Sequence, residues 1–178
     1  MKSATVAQHP FVEELERHFP RIRAELDRLD LERDFLDWPQ RESYHGIWRV
    51  YPLFFPAGPY LDVDVEHNRA RCPETTRVTG RLGGMQGAGF SLLGPHSSVQ
   101  PHRDHYAPGV LRCHLALCVP TGSRMRLGDR WLAWDEGRCL VFDGQVEHEA
   151  INDSPSARIV LLVDVLAPGT PDACSVGS

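Results

Sequence analysis

This chain lacks any C-x-x-C pair of cysteines, and its five are badly placed for cross-linking or for holding a metal. Cys72, Cys113, Cys118, Cys139 and Cys174 are odd in number and scattered. That pattern excludes a zinc finger and argues against a disulfide framework. The five read as reduced thiols, several of them in apolar strands, and favour a cytoplasmic protein. An excess of basic charge is also missing: 19 Lys and Arg stand against 24 Asp and Glu, for a formal net charge of −5. Nucleic-acid binding needs a basic face to neutralise phosphate, so that class of partner is not expected. No apolar run approaches the length of a membrane span, and the opening MKSATVAQHPF lacks the apolar core of a signal peptide. Internal repeats and a second domain are likewise absent from the pattern.

What is there fits one domain over residues 1–168, since a chain of 178 residues can bury a core without staples. The polar tail, 169–178, has nothing to pack and is expected to fray. The segment PFVEELERHFPRIRAELDRLD predicts a helical lead-in over about 10–30. Phe11, Leu15, Phe19, Ile22, Leu26 and Leu29 recur there at three- and four-residue steps with charge between them. Pro10 suits a first turn, and Pro20 is expected to kink the helix or divide it. GIWRVYPLFF (46–55) predicts a strand, and RCPETTRV a short helix. From residue 80 onward come short β-type runs: GFSLLG, GVLRCHLALCVP, RMRLGDRWLAW, RCLVFDG, HEAIND and ARIVLLVDVL. Gly, Pro, Asp or Asn punctuates them closely, which is the pattern of a sandwich or jelly roll. The predicted fold is therefore mainly β, a jelly-roll core over about 46–166 with N-terminal helices packed on it.

Four polar residues crowd one stretch of this β region, SSVQPHRDHYAPGVLRCHLAL: His102, Asp104, His105 and His114. If PHRD is extended, His102 and Asp104 point to one face, because strand side chains alternate. An imidazole beside a carboxylate suits a divalent metal, above all non-haem Fe(II), which takes two histidines and one carboxylate on an octahedral face. A lone H-x-D arises easily by accident and needs its context. The context is His148, after the strand RCLVFDG and before HEAIND, where a late strand of a jelly roll reaches the same barrel mouth. About ten residues on, Arg158 opens the apolar strand ARIVLLVDVL. A buried arginine there is costly unless it meets an anion, and a dicarboxylate would match its planar fork. Arg112 and His114 share a strand face, alternating with Leu111, Cys113 and Leu115, and so point to an anion pocket rather than to an ordinary core histidine.

Taken together, FSLLGPHSSVQPH, GVLRCHLAL, WDEGRCLVFDGQVEHEAINDS and ARIVLLVDV resemble the aspartyl/asparaginyl β-hydroxylase family, from about residue 75 to 166. The resemblance implies a double-stranded β-helix (cupin-like) fold and an oxygenase dependent on Fe(II), 2-oxoglutarate and O2. It implies that His102 and His148 bind iron and that Ser91, Arg112, His114 and Arg158 hold 2-oxoglutarate. Some family members carry Gly two residues after the first histidine. This chain has Asp104, which resembles the membrane-lipid-modifying branch and completes a facial triad. Where the animal enzymes place an arginine for a substrate carboxylate, two residues before Arg112, this chain has Val110.

The expected reaction is hydroxylation of an unactivated C–H of an amino acid, a peptide residue or a related small molecule, with release of succinate and CO2. Trp48, Tyr51, Arg103, His105 and Tyr106 are the candidates to contact that substrate. The length suggests a bare catalytic domain. Two other readings compete: a cupin-type metalloenzyme that does not use 2-oxoglutarate, and a noncatalytic barrel that only binds. The first needs no clamp for a distal carboxylate, so Arg158 and Ser91 discriminate; against the second stand the intact His102, His148 and Arg158.

Overall fold

The computed structural model describes residues 9–55, 63–104 and 109–167. It begins with helix α1 (Pro10–Leu26), then two short strands, β1 (Leu36–Asp37) and β2 (Tyr44–His45), and a longer one, β3 (Trp48–Phe54). Helices α2 (Val65–Arg71) and α3 (Pro73–Gly80) follow. The remaining strands are β4 (Met85–Leu93), β5 (Ser97–His102), β6 (Val110–Cys118), β7 (Ser123–Leu127) and β8 (Arg130–Leu132), then β9 (Cys139–Asp143), β10 (His148–Asn152) and β11 (Arg158–Leu166). They form two antiparallel sheets, one in the order β1-β3-β4-β11-β6-β9 and one in the order β2-β5-β10-β7-β8. The fold is the predicted jelly roll with helices on its outer side. His105, Tyr106, Cys174 and the tail lie outside the described residues.

Alternation along the strands decides what sits where. On β11, Ile159, Leu161, Val163 and Val165 join Leu15, Ile22 and Leu26 of α1 in the main core. The intervening residues, Arg158, Val160, Leu162 and Asp164, face the other sheet. β6 repeats the scheme, with Cys113, Leu115 and Leu117 toward the helices and Arg112, His114 and Ala116 inward. Two smaller apolar clusters fill the space between the sheets, one around Met125, Trp134, Phe142 and Val160 and one around Tyr44, Trp48, Leu93 and Val99.

Three expectations change. Pro20 does not divide α1, which runs unbroken through it. The proline is exposed, so its missing N–H leaves a carbonyl facing water while the opposite, buried face holds the helix together. Helix α2 was not anticipated in a stretch rich in Pro and Gly; its start is capped by Asp64, whose side chain accepts from the His67 N–H. Tyr51 stands three residues from Trp48, hence on the opposite strand face, and packs between Phe35 and Phe90 under the helices. It therefore does not line the space between the sheets.

The helical layer is fastened by one buried carboxylate. Glu25, only 3% exposed, accepts from the backbone N–H groups of Glu74 and Thr75 at 2.7 and 2.8 Å and from Thr75 Oγ1 at 2.7 Å. Pro73 has no N–H and Thr76 N–H bonds to Cys72 O, so α1 supplies the cap that α3 lacks from its own residues. Glu25→Ala leaves these donors buried and unpaired; it should cost about 2–3 kcal/mol in denaturant unfolding.

Candidate metal centre and anion pocket

The pairing of β5 with β10 sets His102 directly opposite His148, and the two imidazole centroids lie 4.2 Å apart. Each ring is oriented in the same way. His102 Nδ1 is 2.8 Å from Gln100 O, and His148 Nδ1 is 2.9 Å from Val146 O. A carbonyl only accepts, so Nδ1 carries a proton in both rings, which leaves each Nε2 as the atom that can ligate. Burial, above all, holds the His148 pKa below the ordinary histidine value, so the ring is neutral and ready to ligate.

Asp104 completes the group, though not by strand alternation. β5 ends at His102, and Asp104 is held beyond it by its N–H donating to Gly144 O at 2.8 Å. Its Oδ1 lies 3.8 Å from His102 Nε2 and its Oδ2 3.6 Å from His148 Nε2. These gaps are too long for direct hydrogen bonds and leave room for a cation among the three side chains. Oδ2 is buried with no hydrogen-bond partner. Two imidazole nitrogens facing a carboxylate oxygen that makes no hydrogen bond fit a metal of the Fe(II) kind.

Beside this group, between the sheets, is a narrow cleft bordered by Trp48, Ser91, His114 and Arg158 and by both histidines. Val99, Met125, Ala150 and Leu162 make its apolar walls. Arg158 is 3% exposed, and its Nε and Nη1 have no hydrogen-bond partner. No carboxylate among the described residues pairs with it; its guanidinium lies 4.8 Å from the Trp134 ring centroid. Burial depresses its pKa to about 10, which still leaves it charged at neutral pH. Ser91 Oγ accepts from Trp48 Nε1 at 3.1 Å, which leaves the hydroxyl proton available to an acceptor in the cleft. His114 lies against Trp134 and edge-on to Phe142. Its pKa is pushed well down by burial first and by Arg158 and Arg112 next.

The structure thus brings His102, Asp104 and His148 together, and Ser91, His114 and Arg158 with Trp48 beside them. Arg112 also borders the cleft, but its guanidinium is engaged by two carboxylates, Asp164 and Asp104. Arg103 is exposed and donates to Gln145 O at 2.8 Å, away from the cleft. Val110 is buried and brings no charge. Asp164 and Trp134 escaped the sequence reading. Asp164 was within reach of it, since it shares the inward parity of Arg158.

The aspartyl/asparaginyl β-hydroxylase family matches over residues 16–168. The chain belongs to this family. Among curated relatives, an ornithine lipid ester-linked acyl 2-hydroxylase from Rhizobium tropici is 34% identical over 91% of this chain and 59% of its own length. Aspartate beta-hydroxylase domain-containing protein 2 from Mus musculus is 31% identical over 94% of this chain and 51% of its own. The chain of this family member therefore spans between half and three-fifths of those relatives. Among solved structures, a predicted oxalate decarboxylase from Thermotoga maritima covers 74% of this chain and 91% of its own at 14% identity, with a TM-score of 0.48.

Two outcomes follow from the buried cation and the buried imidazole. Arg158→Met removes an uncompensated charge and should raise the stability of the metal-free protein by about 1–3 kcal/mol, read by denaturant unfolding. His114 binds a proton in the unfolded chain below about pH 6.5 but not when folded. Its contribution is therefore intact above that pH and lost progressively as pH falls below it. In unfolding titrations from pH 8 to 5, wild type should lose more stability than His114→Gln.

Proposed function

We propose that the protein is an Fe(II)- and 2-oxoglutarate-dependent hydroxylase acting on an unactivated C–H of an amino acid, a peptide residue or a related small molecule. The observation that carries this reading is Arg158: a cation buried without an anion among the described residues, in a cleft bordered by two imidazoles that sit beside a carboxylate. His102, Asp104 and His148 would hold the iron. Arg158 and the Ser91 hydroxyl would take the distal carboxylate of 2-oxoglutarate, and neutral His114 would border it without adding charge. When bound, the metal and the 2-oxo acid supply the oxidation: O2 is consumed, 2-oxoglutarate becomes succinate and CO2, and one oxygen atom enters the substrate C–H bond.

The chain's own residues do the rest. The Nδ1–carbonyl bonds keep both Nε2 atoms aimed at the metal position. Trp48 lines the cleft and Trp134 lies over the Arg158 guanidinium, so both would exclude water from the ion pair that Arg158 would form, which strengthens it. The Rhizobium tropici relative is named for 2-hydroxylation of a lipid acyl group. Uncharged Val110 supports a target C–H without a flanking carboxylate recognised from that position.

Mixing the protein anaerobically with Fe(II) and 2-oxoglutarate should give a weak visible charge-transfer band, absent from His102→Ala and from Arg158→Met. Candidate substrates should then gain one oxygen by mass spectrometry with matching succinate release. An iron-loaded wild type without the band would favour a cupin-type metalloenzyme that does not use 2-oxoglutarate.

A further inference from the structure

Two arginines reach the space between the sheets, and they are treated differently. Arg158 has no carboxylate among the described residues, whereas Arg112, 8% exposed, lies directly across the β6–β11 pairing from Asp164, 5% exposed. Arg112 Nε and Nη2 donate to the two Asp164 oxygens at 2.9 and 3.1 Å, a fork that fixes the guanidinium plane. The remaining nitrogen, Nη1, lies 2.9 Å from Asp104 Oδ2. It is close enough for an ion pair, while that oxygen accepts no hydrogen bond.

On its other side Asp104 meets Gly144. A Cβ on that glycine would collide with Asp104 Oδ2 and stand 3.1 Å from its Cβ and Cγ. The carboxylate therefore occupies the volume of an absent side chain. We infer that Asp164, Arg112 and Gly144 form a cradle that fixes Asp104 as the third metal ligand, with Arg112 a positioning residue for that carboxylate and not an anchor for the cosubstrate. The inference rests on the metal site proposed above.

Charge explains why Asp164 is needed. Asp104 lies beyond the end of its strand, with one backbone hydrogen bond to Gly144 holding its main chain, and its side chain needs an outside guide. A guanidinium alone would guide it but would also neutralise it and repel a divalent cation. With Asp164 cancelling the Arg112 charge, the three groups sum to one negative charge, which Asp104 keeps for the metal.

The test is Mn(II) binding to the metal-free protein, followed by electron paramagnetic resonance, with 2-oxoglutarate affinity measured separately on Mn(II)-saturated protein. Asp164→Asn and Gly144→Ala should each weaken Mn(II) binding about ten- to a hundredfold. Neither loss should multiply with that of Asp104→Ala in the double variants, because all act through one carboxylate. If Asp164→Asn does not fold, Arg112→Lys keeps the buried charge but loses the fork, and should show the same loss. Unchanged Mn(II) affinity with weakened 2-oxoglutarate binding in Arg112→Lys would overturn the inference, as would losses that multiply with Asp104→Ala. Wild-type Mn(II) affinity in His102→Ala and His148→Ala would instead remove the metal site on which the inference stands.

Discussion

A guanidinium enclosed by protein without an anion is a standing cost, and the inner face of this barrel is organised around one. Arg158 sits where β11 begins, on the strand face turned away from the helices, beneath Trp134 and beside Ser91. Burial pulls its pKa down to about 10, far from the point at which it would give up its charge at neutral pH. A fold selected for stability alone would place an apolar side chain there, as it does at Val160 on the same face. Under the function proposed above, the distal carboxylate of 2-oxoglutarate would offset that cost.

The two sheets divide the work. The six-stranded sheet carries the charged inner residues, Arg112, Arg158 and Asp164, while its outer face is closed by α1 and α3 through the main core. The five-stranded sheet brings the histidines, placed opposite one another by antiparallel register. Both imidazoles are held through carbonyls of their own chain segments, so ring orientation is a local property, independent of the far sheet. The His102–Asp104–His148 group and the cleft around Arg158 then meet across the barrel, with Arg112 reaching from one sheet to a carboxylate that follows the other. Rigid strands on both sides give such a site the precision that loops do not.

Much of this was legible in the chain. Short apolar runs with Gly, Pro and Asp between them gave the jelly roll, and inward parity on LRCHL placed Arg112 and His114 together. The same parity argues against Tyr51, three residues from Trp48, and for Asp164, six residues from Arg158 on an otherwise apolar strand. Those two errors came from not applying the period of two throughout. Other features lie beyond a single strand's pattern. That Arg112 is matched by Asp164 depends on cross-strand register, which no one segment encodes. That Asp104 reaches the histidines depends on a contact with Gly144, forty residues away and after the strand has ended. Helix α2 begins at a side-chain cap, Asp64, in a stretch whose apolar periodicity is too short to declare a helix.

The cysteines illustrate the cost of the chemistry proposed here. Cys72, Cys113, Cys118 and Cys139 are free, and burial pushes the Cys72 thiol up to about 12, so it stays protonated and unreactive. Those in the main core lie on the helix side of the large sheet, with a layer of strand between them and the cleft. The account's central claim is that the cleft recognises a distal carboxylate through Arg158. Calorimetric titration of Mn(II)-loaded protein with 2-oxoglutarate and with 2-oxobutyrate, which lacks that carboxylate, tests this most directly. The account predicts that 2-oxoglutarate binds about a hundredfold more tightly; equal affinity for the two acids would contradict it.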